Sequence, residues 1–177
     1  IFYNDGSLPT TAATADVIIT GESSSQLGVS SVVADFNVDG KIDLAIGAIS
    51  YGSGKGRVYM YTFNDHVTTG GATGDYFGRS LVSGDFNADG KADLAVGASG
   101  YSSSTGRAYI FYGGSALDVS GSTADITITG EASSYFGTSL ATGDLNADGE
   151  IDLVVGAASL TGSVYIFPPI SIRVVAR

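Results

Sequence analysis

The chain has 177 residues, with 26 glycines, a single histidine and no cysteine or tryptophan, and its net charge is −10 because 18 acidic side chains face 8 basic ones. Charge of that sign repels phosphate backbones and anionic lipid, which excludes nucleic acid and membrane surfaces as expected partners. Without cysteine there is no disulfide scaffold, thiol nucleophile, iron–sulfur centre or thiolate zinc site, and His66 alone cannot build a multi-histidine one.

Internal repetition organises the chain. The run Ala34-Asp35-Phe36-Asn37-Val38-Asp39-Gly40, continuing through Asp43-Leu44-Ala45-Ile46-Gly47-Ala48, returns at 84–98 and again at 143–157. Leu27-Gly28, Phe77-Gly78 and Phe136-Gly137 precede the three copies, and Arg57-Val58-Tyr59, Arg107-Ala108-Tyr109 and Ser163-Val164-Tyr165 follow them.

Taken in chain order, residues 1–22 read as the last strands of a preceding, incomplete unit, because 1–4 resembles 110–113 and 15–22 resembles 124–131. Complete units are predicted over 23–70, 71–131 and 132–167, each with four strands, A to D. In the last unit A spans about 138–145, B 151–157 and C 163–167, with the preceding D at 124–130. Asp125-Ile126-Thr127-Ile128-Thr129 alternates polar and apolar residues, as a half-buried strand does. The C strands, such as Tyr109-Ile110-Phe111-Tyr112, are apolar on both sides and predict a sheet covered on both faces. Glycine and serine clusters divide the strands, and no helical window is expected. Pro168-Pro169 then opens a tail, 168–177, that offers one further edge strand.

Small four-stranded antiparallel sheets at this repeat length predict an all-β chain of β-propeller blades. Three full blades and a partial one are fewer than the four to eight of a closed ring. The chain is therefore expected to be open, part of a larger propeller, or completed in an assembly.

Each A–B turn carries Asp-x-Asn-x-Asp-Gly-x-x-Asp. Oxygens at loop positions 1, 3, 5 and 9, with the carbonyl of position 7, suit a hard cation that takes 6–8 oxygen ligands. Three calcium sites are expected: Asp35, Asn37, Asp39, Lys41 through its carbonyl, and Asp43; Asp85, Asn87, Asp89, Lys91 and Asp93; Asp144, Asn146, Asp148, Glu150 and Asp152. Position 12 offers no bidentate glutamate, so the ninth-position aspartate must close the site. Magnesium, which needs a tighter octahedron, suits such a flexible cage less well. Asp, Asn and Gly also form simple turns, but a turn needs only two or three of them.

The Phe-Gly and Gly-Ala pairs bracketing an Asp-rich loop, as in Phe77-Gly78 to Gly97-Ala98 and Phe136-Gly137 to Gly156-Ala157, resemble the FG-GAP repeat of integrin α-subunit propellers. Leu27 replaces the first Phe, and Ile49, Ser99 and Ala158 stand where that family usually has Pro. Related repeats occur in bacterial surface and secreted proteins, a glycosylphosphatidylinositol-cleaving phospholipase and a fungal lectin. The resemblance implies structural calcium on one face of the blades and a ligand on the other.

Reversing strands place the B–C and D–A loops at the end opposite the acidic turns, where Tyr51, Tyr76, Tyr101 and Tyr135 stand among Ser and Gly. Rigid tyrosine amid small polar residues suits recognition, here of a protein or carbohydrate ligand. Gly52-Ser53-Gly54-Lys55-Gly56 lacks the ending of a phosphate loop, and His66, placed in a C–D loop beside Asp65, has no nucleophile motif nearby. No catalytic residue is expected. The sequence therefore predicts a non-enzymatic, calcium-binding extracellular module for adhesion, ligand recognition or assembly. Alternatives are the accessory propeller of a secreted hydrolase, a lectin, or a filament subunit that self-associates through open blade edges.

Overall fold

The computed structural model describes residues 15, 17–61, 66–114 and 123–169. Among the described residues, eleven strands form three antiparallel sheets in sequence order. Sheet 1 holds β1 (Leu27–Ala34), β2 (Asp43–Ala48), β3 (Arg57–Tyr61) and β4 (His66–Thr69), paired in that order. Sheet 2 repeats it with β5 (Phe77–Gly84), β6 (Asp93–Ala98), β7 (Arg107–Phe111) and β8 (Ile126–Thr129). Sheet 3 holds β9 (Phe136–Gly143), β10 (Asp152–Ala157) and β11 (Ser163–Phe167). The chain is thus all-β, and its sheets are open propeller blades, not a closed barrel.

Register is preserved between units. Leu44 opposes Tyr61, Leu94 opposes Phe111 and Leu153 opposes Phe167. A bulge between Phe77 and Ser80, repeated between Phe136 and Ser139, lets each Phe pair with the alanine that ends the next strand. That pairing starts β9 two residues before the expected 138.

Four expectations are corrected or left open. The B–C connections were predicted without helix, yet α1 (Tyr51–Gly54) and α2 (Tyr101–Ser104) form single turns. Left-handed residues, Gly52 and Ser53 in one and Ser102 and Ser103 in the other, break each turn before a helix can propagate. His66 opens β4 opposite Met60 and is not in a loop, because the β3–β4 ladder extends that far. Residues 17–22, expected in a D strand, belong to no strand, and their expected partner at 1–4 lies outside the described residues. The edge strand expected in the tail, residues 170–174, lies outside them too.

The core sits between sheets. Leu94, Val96, Tyr109 and Phe111 on one side of sheet 2 pack with Ala45, Val58 and Met60 of sheet 1. On the other side Ala95, Ala108 and Ile110 pack with Phe136, Leu153 and Val155 of sheet 3. This accounts for C strands that are apolar on both sides. Phe77 fills the first junction edge-on to Tyr109, with ring centroids 5.3 Å apart, and Phe136 meets Tyr165 similarly at 5.4 Å.

The junctions also explain the repeated glycines. A Cβ on Gly47 would overlap the Gly78 carbonyl, and one on Gly97 the Gly137 carbonyl. Beside them the Ser30 hydroxyl donates to Gly78 O at 2.7 Å, and the Ser80 hydroxyl to Gly137 O at 2.9 Å.

Candidate functional site

The three A–B turns adopt one geometry. In the first, the Asp39 amide donates to Asp35 Oδ1 and Asn37 Oδ1, both at 3.0 Å. Two side-chain oxygens from positions 1 and 3 are thereby set side by side. The Gly40 amide donates to Asp35 Oδ2 at 2.9 Å, and the Lys41 amide to Asp39 Oδ1 at 2.9 Å. Position 9 anchors the base: Asp43 is buried, and its Oδ2 accepts from the Phe36 amide at 2.9 Å.

The second and third turns repeat every one of these bonds. Asp85, Asn87 and Asp89 accept from the amides of Asp89, Gly90 and Lys91, and Asp144, Asn146 and Asp148 from those of Asp148, Gly149 and Glu150. Asp93 and Asp152 take the place of Asp43. Left-handed backbone at position 4 (Val38, Ala88, Ala147) and at the position-6 glycines wraps each chain tightly enough for this web.

Electrostatics separate the roles of these carboxylates. Burial raises the pKa values of Asp43 and Asp93 against the pull of their amide donors, and the neighbouring loop aspartates add to the rise. The Lys91 ammonium, 3.0 Å from Asp89 Oδ2, lowers the pKa of Asp89. Asp93 also accepts from the Gly113 amide at 2.8 Å through Oδ1, tying its turn to the end of the C strand.

Among the described residues, no three carboxylate or imidazole groups stand together as a ready-made metal cluster. The turns instead gather, within each loop, an all-oxygen donor set on one tightly wound backbone. That set suits a hard cation with flexible coordination.

At the other end, residues that the sequence reading missed set the surface. The Arg57 guanidinium lies over the Tyr51 ring at 3.3 Å and bonds Glu22 at 3.0 Å, and Arg107 lies over Tyr101 at 3.7 Å. The signal was present as arginines before two of the three C strands, but their tyrosine partners belong to turns that were read as plain loops. Asp75 is buried as a local cap, accepting from the Ala72 amide at 2.8 Å. At this end Ile49, Tyr76, Arg79, Ser99, Tyr135 and Thr138, drawn from all three units, line an open cleft. Tyr51 and Tyr101 are thus stacked beneath arginine, while Tyr76 and Tyr135 are exposed.

No helix among the described residues is long and apolar enough to cross a membrane. No curated protein matches the chain. Residues 77–111 and 136–167 match the family model of the FG-GAP repeat. The two matched segments run from the Phe-Gly bulge to the C strand of sheets 2 and 3, and sheet 1 repeats their register. These two segments are FG-GAP repeats, consistent with the repeat of integrin α-like β-propellers.

Proposed function

We propose that the chain is a calcium-stabilised, non-catalytic propeller module of an extracellular or surface protein, which presents its tyrosine-lined end to a protein or carbohydrate ligand. The observation that carries the calcium reading is the identical oxygen web of the three acidic turns. Nine aspartates, half of the chain's acidic residues, are concentrated there. A turn alone would not need a carboxylate at each of positions 1, 5 and 9. Asp35, Asn37, Asp39, the Lys41 carbonyl and Asp43 would hold one ion, and the corresponding residues of the other turns two more. The ions would neutralise crowded carboxylates and fix the A–B turns, which is a structural role.

FG-GAP repeats are typically non-enzymatic and occur mostly in extracellular or surface proteins, which supports the remainder of the reading. In that setting even weak calcium sites fill, since extracellular modules bind at about 10⁻⁴–10⁻³ M. Isothermal titration with calcium, paired with melting curves in calcium and in chelator, tests the proposal. Heat of binding and a higher midpoint in calcium are expected; no heat and unchanged melting would overturn it.

A further inference from the structure

Taking the tyrosine-lined end as the ligand end, as proposed above, we infer that its cleft is a site for an acidic carbohydrate. The Arg79 guanidinium takes the carboxylate of one sugar unit, and the rings of Tyr76 and Tyr135 take its apolar face. Charge points there first. The whole chain carries −10, yet its charges are sorted by end. Eleven of the described acidic residues stand at the end of the A–B turns, with Lys41 and Lys91. At the tyrosine-lined end Lys55, Arg57, Arg79 and Arg107 outnumber Glu22, Asp75 and Glu131.

Most of that second set is already engaged. Arg57 pairs with Glu22, Arg107 lies over Tyr101, and Asp75 is a buried cap. Arg79 is exposed and lines the cleft, and its guanidinium forms no ion pair with any described carboxylate. A planar guanidinium presents paired N–H donors that match a carboxylate at two points.

The units themselves provide a comparison. Residues that serve the sheets repeat: Ser30, Ser80 and Ser139, and Gly47, Gly97 and Gly156. Those around the cleft do not. Arg79 stands where the other units have Val29 and Thr138, and Gln26 is the counterpart of Tyr76 and Tyr135. The gap lined by Ser24, Gln26, Ser50, Ser53 and Tyr76 carries no charged side chain. Among the described residues, a cation and two exposed tyrosines share a cleft only here.

Both tyrosines are positioned before any ligand arrives. The fold sets left-handed backbone at this point of each unit, with φ of 54° at Gln26, 55° at Tyr76 and 53° at Tyr135. Bulky residues rarely adopt it, so tyrosine is held there against its backbone preference. The Tyr76 amide donates to Gly54 O and the Tyr135 amide to Ser104 O, each at 2.8 Å, which ties them to α1 and α2. A side chain on Gly54 or Gly100 would crowd the Tyr76 ring. Tyr76 and Tyr135 nevertheless remain 41% and 45% exposed. Aromatic surface held on a fixed frame costs little ordering entropy on binding.

The rest of the lining decides the class of anion. The cleft measures about 320 Å³, at the small end of ligand sites of about 300–1,000 Å³, and adds the hydroxyls of Ser99 and Thr138. A pyranose matches that set, with an apolar C–H face for the rings, hydroxyls for Ser99 and Thr138, and one carboxylate for one cation. An acidic peptide would need a row of cations, and Arg79 is the only one lining the cleft. A dense polyanion would be repelled by Glu22, Glu131 and the acidic turns.

A glycan microarray probed with the labelled 177-residue chain in calcium tests the assignment. The probes are matched pairs, a hyaluronan tetrasaccharide with its carboxyl-reduced form and sialyllactose with lactose, beside a hexaglutamate peptide. At least one carboxylated glycan should bind about tenfold more tightly than its neutral partner, as expected for a hydrogen-bonded charge. Arg79→Gln should erase that preference and Arg79→Lys should keep part of it, while Tyr135→Ala should weaken binding of both members of the pair. Thermal melting should show all three variants folded, which the exposure of both side chains favours. Equal binding of carboxylated and neutral glycans, or binding of the peptide in their place, overturns the acidic-carbohydrate assignment; if Tyr135→Ala weakens that binding, the tyrosine-lined end stands as the ligand end. Binding that survives both Arg79→Gln and Tyr135→Ala overturns the assignment and removes the ligand from this end. No binding to any probe overturns the assignment as well.

Discussion

The Ser80 hydroxyl donates to the Gly137 carbonyl at 2.9 Å, and that same carbonyl occupies the space a side chain on Gly97 would need. One oxygen thus sets both the register of sheet 3 on sheet 2 and the identity of a residue 40 positions away in sequence. Gly97→Ala should destabilise by about 3 kcal/mol, as overpacking against rigid backbone does. Gly156→Ala, whose added methyl meets only the Ser139 side chain, should cost far less. Urea denaturation of the two variants side by side checks the contrast, and equal losses would contradict it.

Calcium should stabilise the fold by mass action. At a hundredfold excess over Kd, one site contributes about 2.7 kcal/mol, so three sites move the melting midpoint well beyond the scatter of a thermal scan. Asp89→Ala should remove part of this shift while leaving the midpoint in chelator nearly unchanged, because Asp89 is exposed.

Asp93 should behave in the opposite way. It is fully buried and accepts from the amides of Phe86 and Gly113. Asp93→Ala strands both donors and should cost about 2–5 kcal/mol even in chelator. A loss smaller than that of Asp89→Ala in chelator would sink the assignment of Asp93 as the structural base of its turn.

Tyr109 provides the pH dependence. Burial in the first junction raises its phenol pKa, only partly opposed by Arg107. The folded state therefore holds that proton more tightly than the unfolded state, whose phenol titrates near 10. Its contribution is complete below pH 10 and is lost as pH rises through the higher folded value. Chemical denaturation across the alkaline range should show stability falling, and Tyr109→Phe should flatten the fall.

Much of this was legible because the repeat states its rules several times over. Asp35, Asp85 and Asp144 recur with the same neighbours, and a period-two pattern in β8 or a two-sided apolar run in β7 has one simple reading. The Arg57–Tyr51 and Arg107–Tyr101 stacks were not legible. They depend on left-handed serines, residues that rarely adopt such backbone, so composition carries no warning of the turn. The burial of Ser25 was equally hidden, since its identity matches an ordinary loop residue.

Among the described residues, sheet 2 packs against sheet 1 on one face and against sheet 3 on the other. Stability in such an array is shared between nearest neighbours, so the end units open first and the middle one last. Amide exchange would run as a gradient along the polypeptide, slowest at Leu94 to Val96 in β6 and fastest in β4 and β11. The protein's persistence in a protease-rich medium would then be governed by how well its two ends are covered.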